Sequence, residues 1–136
     1  MEAREAVLTV LEEVAGCQPK GLEETDLVRR CGIDGDDFSE VLKMLQHRHG
    51  VDFSGYLWYF HQLDEPPFWR RVVPIDESGR VLPLIPVSVD ALAQAVATGR
   101  WSWDYPPHQA RDRSGRVLVV LAALVAGLGG LVFFAR

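Results

Sequence analysis

Asp34-Gly35-Asp36-Asp37 is where residue type and spacing come closest to metal chemistry. A calcium loop needs oxygen ligands at alternate positions, a glycine at the sixth position and a bidentate glutamate at the twelfth. Counted from Asp34, the sixth position is Ser39 and the twelfth is Leu45, so the loop fails as a calcium site. His47 and His49 lie two apart in a helical pattern, so their rings point to different faces and cannot close on one metal. With His61 and His108 they read as polar surface residues. Ser39 and Ser54 have no base nearby in sequence, and no Gly-rich phosphate loop, nucleophile elbow or paired-carboxylate motif is present. Cys17 and Cys31 have no Cys or His beside them and match no zinc pattern. No metal, cofactor or catalytic residue is therefore expected, and the chain does not read as an enzyme.

Charge says more than these motifs. The 136 residues carry a net charge of −5, but residues 1–65 hold fourteen Asp and Glu against six Lys and Arg, whereas residues 66–136 hold five against eight. Nucleic-acid affinity comes mainly from neutralising phosphates with Lys and Arg, so the acidic half excludes that partner. A basic protein surface would be attracted, with salt-dependent association. The plainer meaning of the same acidity is solubility. With no leader ahead of Glu2 and Arg4, the N-terminus does not read as a secretory signal, and both thiols are expected to be reduced in the cytoplasm.

The elements that must position these residues are mainly helical. Val7, Val10, Leu11 and Val14 predict an amphipathic helix over 3–15, ended by Gly16. Residues 17–35 form a long connection pinned by Leu22, Leu27, Val28 and Ile33. Phe38, Val41, Leu42 and Leu45 predict a second helix over 37–48, with Asp34 or Asp36 as its cap and Gly50 as its stop. An aromatic cluster follows at Tyr56, Trp58, Tyr59 and Phe60. Residues 71–88 predict a short hairpin turning at 76–80, with three prolines that suit only edge or irregular strands. A third helix is predicted over 89–98, with Ser88 as N-cap, a stripe of Val89, Leu92, Ala93 and Val96, and Gly99 as its end.

Residues 104–116 read as a polar, proline-containing linker. Val117 to Ala135 then runs without a charge, about 28 Å as a helix, the length of a membrane span. Arg111, Arg113 and Arg116 before it would keep the N-terminal side cytoplasmic. The expectation is a cytoplasmic domain over 1–103, a linker over 104–116 and a single transmembrane helix over 117–135, a tail-anchored layout in a bacterial inner membrane.

The stretch from Gly32-Ile33-Asp34-Gly35-Asp36-Asp37-Phe38 to His49-Gly50-Val51-Asp52-Phe53 resembles the central helix region of acyl carrier proteins. There the pattern is glycine, one residue, Asp-Ser-Leu, an amphipathic helix, then Gly-Val-acidic-apolar, and the spacing matches without a gap. The serine that carries phosphopantetheine falls on Gly35, and the leucine after it on Asp36. Gly35 cannot bear the prosthetic group, and Ser39, one turn on, is a poor substitute. The chain looks closer still to a bacterial family of acyl-carrier-like domains of unknown function. Those share Asp-Gly-Asp-Asp, Gly-Val-Asp with an aromatic segment, and a later helix ending in Gly-Arg-Trp, here Gly99-Arg100-Trp101. The likeness covers 3–103 loosely and 32–53 well.

It implies a small acyl-carrier-like helical bundle with a short hairpin, acting as a membrane-tethered adaptor without phosphopantetheine. Asp34, Asp36, Asp37 and Glu40 crowd the place where acyl carriers meet basic patches on their enzymes, and would be the partner-binding residues. The alternatives are a working carrier modified at another serine and a small membrane-associated enzyme. The sequence does not set the oligomeric state.

Overall fold

The computed structural model describes residues 2–18, 26–63 and 71–134. In chain order these form α1 (Ala3–Ala15), α2 (Leu27–Arg30), α3 (Asp36–His49), a 3-10 turn (Trp58–Phe60), β1 (Val72–Ile75), α4 (Val89–Thr98), β2 (Gln109–Asp112) and α5 (Ser114–Phe134). They fall into two compact units, one of residues 1–63 and 83–107, the other of residues 64–82 and 108–136.

In the first unit α1 packs against both α3 and α4. The buried faces follow the predicted stripes. They are Val7, Val10 and Leu11 on α1, Phe38, Val41, Leu42 and Leu45 on α3, and Val89, Leu92 and Ala95 on α4. On α4 the predicted Ala93 and Val96 lie only half-buried, and Ala95 is the residue turned inward after Leu92. The Ser88 hydroxyl accepts from the Ala91 N–H at 3.1 Å, the expected N-cap. Leu27, Val28 and Ile33 do pin the long connection into the core, and Leu22 lies outside the described residues. Part of that connection is α2, where Asp26 accepts from the Val28 N–H. The ends of α3 and α4 are tied by the Gly99 carbonyl accepting from the Asp52 N–H at 2.9 Å, and the Asp52 carbonyl accepting from the Trp101 N–H at 2.8 Å.

Cys17 and Cys31 are joined in a disulfide, with Cα atoms 5.8 Å apart, where reduced thiols are expected from sequence. Cys31 caps the C-terminus of α2, and the fold returns it to Cys17, the residue after the Gly16 cap of α1.

In the second unit β1 pairs antiparallel with β2, Val72 opposite Asp112 and Ile75 opposite Gln109. The predicted hairpin partner at 81–86 contributes only an isolated bridge between Ile75 and Val81. Pro83 and Pro86 have no N–H to donate to a ladder, so a distant segment supplies the second strand. The turn forms as predicted, with the Asp76 carboxylate accepting from the N–H groups of Ser78 and Arg80. The expected linker at 104–116 is thus largely structured, holding β2 and the start of α5.

No helix among the described residues is long and apolar enough to cross a membrane. A span must match the roughly 30 Å of a hydrocarbon core with apolar helix, and none of the described helices meets that requirement. The expected span at 117–135 is corrected accordingly, and with it the tail anchor, the single-pass placement and the membrane as partner. Arginines orient a chain only relative to a span, so the cytoplasmic placement read from Arg111, Arg113 and Arg116 falls as well. The fold is mainly helical with a small two-stranded sheet.

Candidate functional site

The start of α3 is built by backbone geometry and not by a side-chain cap. Gly35 stands at φ 80° and ψ −129°, a region that residues with a Cβ rarely enter. Its carbonyl is the hub of the site, accepting from the Ser39 N–H at 3.1 Å, the Ser39 hydroxyl at 3.3 Å and the Gln62 side-chain amide at 3.2 Å. Asp34 does not cap the helix. Its Oδ1 accepts from the N–H groups of Gly35 and Leu63, at 3.1 and 3.0 Å, and its Oδ2 lies 3.6 Å from the Arg29 guanidinium.

The four carboxylates expected to act together therefore divide. Asp34 is half-buried and holds the loop in place, whereas Asp36, Asp37 and Glu40 are exposed. Asp36 and Asp37 lie in the first turn, where the positive end of the helix dipole favours them. Glu40 follows Asp36 by four residues, which places both on one helix face. The arrangement presents three carboxylates to solvent on the first turns of α3.

Behind this loop lies a polar and aromatic cluster that sequence reasoning missed. His61, expected at the surface, is fully buried. One ring nitrogen, Nδ1, sits 3.0 Å from the Ile85 carbonyl, and the other, Nε2, sits 2.7 Å from the Tyr105 hydroxyl. A carbonyl only accepts, so Nδ1 carries the hydrogen and Nε2 accepts from Tyr105. The Tyr105 oxygen in turn accepts from the Trp101 indole N–H at 3.0 Å and the Leu57 N–H at 3.2 Å. The Tyr56 ring stacks on the imidazole with centroids 5.0 Å apart, and its hydroxyl donates to Gln62 at 3.0 Å. Burial pushes the His61 pKa below that of an ordinary histidine and raises those of Tyr56 and Tyr105. The sequence signal was His61 closing the run Trp58-Tyr59-Phe60, an apolar context unlike that of His47 or His49.

Ser54 is exposed, its N–H donating to Asp52, and His47 is exposed on α3. A cavity of about 30 Å³ beside α4, lined by Gln94, Arg100 and Trp103 among others, has room for about one water. Among the described residues no group of three or more His, Cys, Asp or Glu could hold a metal ion.

Comparison with protein-family models, with curated proteins and with solved structures gives no match. The likeness to acyl carriers therefore rests on the residues themselves.

Proposed function

We propose that this chain is a non-enzymatic interaction module, related in design to an acyl carrier but without its phosphopantetheine. It presents Asp36, Asp37 and Glu40 to a basic surface on a protein partner. The observation that carries this reading is Gly35, at the position of the carrier serine, with no side chain to modify and a backbone at φ 80° and ψ −129°. Ser39 does not replace it as a modification site, since it is half-buried with its hydroxyl turned onto the Gly35 carbonyl. Three exposed carboxylates repel one another, a cost that the helix dipole offsets in part. Opposite charge on a partner would offset the rest and would speed association.

Two measurements test the reading. Coexpression with a phosphopantetheinyl transferase should leave the intact mass unchanged, and a gain of one phosphopantetheine would make the chain a carrier. Partner capture by wild-type protein should weaken as salt screens the carboxylates. It should be lost in the double variant Asp37→Lys/Glu40→Lys with little change in stability, because both positions are exposed. Full capture by the double variant moves the binding surface elsewhere, with the aromatic cluster at Trp58 the next place to look.

A further inference from the structure

The hydrogen bonds around His61 are saturated, with no position left for one more proton. The Ile85 carbonyl takes the Nδ1 hydrogen, and Nε2 takes the Tyr105 hydrogen. A phenol oxygen has one hydrogen to give and two lone pairs to fill. Both lone pairs of Tyr105 are filled, by Trp101 and Leu57. The geometry points to a pH-operated clasp, in which protonation of His61 at Nε2 releases Tyr105 and loosens the Trp101–Tyr105 segment within the first unit.

The imidazolium donates from both nitrogens. Its new N–H then faces an oxygen that already receives two N–H groups and whose own hydrogen points back at it. At least one of these four interactions must break, and the Tyr105 hydrogen must find another acceptor. A buried donor left unpaired is costly, so the segment shifts to restore a partner.

The surroundings do not supply an easy counter-charge. Asp26 and Arg29 face the ring from α2 with opposite signs, and Arg29 is occupied by Asp26, by Asp34 and by the His61 carbonyl at 2.7 Å. The stacked Tyr56 ring favours a cation, while the edge-on rings of Trp101 and Trp103 close the site from solvent. Tyr56 and Tyr105 stay protonated, because burial raises both. Burial outweighs the attractions, consistent with the lowered pKa of His61.

The direction of the effect follows. The folded chain binds this proton less readily than the unfolded chain, whose histidine titrates near 6.5. The clasp therefore adds stability in full above that value, and loses it as pH falls through the lower folded value. His61 also adjoins Gln62 and Leu63, which bond Gly35 and Asp34, so the disturbance reaches the loop before α3. None of this depends on what the α3 face binds.

The test is a titration of the full-length, ¹⁵N-labelled chain by NMR from about pH 8 to about pH 5, the range in which histidines change charge. At the start His61 should show the tautomer with hydrogen on Nδ1. Its midpoint should lie below the ordinary histidine value of about 6.5, and the Trp101 indole and Leu57 amide resonances should move with it. His47→Gln/His49→Gln should keep the transition, and His61→Gln, if folded, should abolish it. Should His61→Gln not fold, the double variant and wild type decide. Indole and amide resonances that stay fixed while His61 titrates, or that lose their transition in His47→Gln/His49→Gln, overturn the clasp, as does a His61 midpoint at or above the ordinary value of about 6.5.

Discussion

At Gly35 the conformational requirement and the chemical departure from an acyl carrier coincide. A Cβ built there meets nothing within 4 Å, so a side chain would be resisted by the backbone at φ 80° and not by a neighbour. Gly35→Ser should therefore cost about 1–3 kcal/mol, the scale of a strained backbone position, and Gly35→Ala should cost about the same. Urea unfolding of the two variants checks this. A neutral Gly35→Ser would mean that the loop relaxes to a carrier-like conformation, and a harmless alanine beside a harmful serine would point to the hydroxyl. Asp34 is legible as acidic in the sequence, but not its use. Only the fold brings the Leu63 N–H and the Arg29 guanidinium to it from 29 and 5 residues away.

Among the elements, α3 is the best-determined. Its spacing of Phe38, Val41, Leu42 and Leu45 predicts the inward face that the structure has, because a stripe repeating every three or four residues can be buried only on one side of a helix. Leu45→Ala and Leu42→Ala should each cost about 2–5 kcal/mol, with Leu45 the more damaging, since it is 0% exposed against 8% for Leu42. Losses below about 0.5 kcal/mol at both sites, typical of surface changes, would reverse the assignment of the face. The join between α1 and α2 is a different matter. The Cys17–Cys31 bridge closes a loop of about fifteen residues, worth about 3 kcal/mol on the chain-entropy estimate. Thermal unfolding with and without dithiothreitol should show the oxidised form melting higher. Equal melting temperatures would mean that the bridge adds no net stability.

At the scale of the whole molecule, the chain leaves its first compact unit at Leu63, returns to it at Pro83 and leaves again at Pro107. A chain ending at Pro107 keeps every residue of that unit, including the His61 and Tyr105 contacts. It should keep the near-ultraviolet circular dichroism of the aromatic cluster. It should also self-associate less than the full chain, because α5 exposes Leu118, Val119, Val125 and Leu128 at 60% or more. Sedimentation velocity and circular dichroism on the two lengths check both points. A lost aromatic signal would show that residues beyond Pro107 are needed to fold the first unit.

The sequence by itself determined the helices whose apolar residues repeat at helical spacing, their glycine stops, the Ser88 cap and the turn at Asp76. Each of these depends on residues a few positions apart, so local pattern contains the answer. It also showed that Gly35 cannot carry a prosthetic group, since that follows from residue type alone. Tertiary structure decided the strand partner of β1, the disulfide and the burial of His61. Each joins residues distant in sequence, with partners set by which surfaces pack together. It also divided the four carboxylates, turning Asp34 inward to the hydrogen bonds it could reach while Asp36, Asp37 and Glu40 stayed in water.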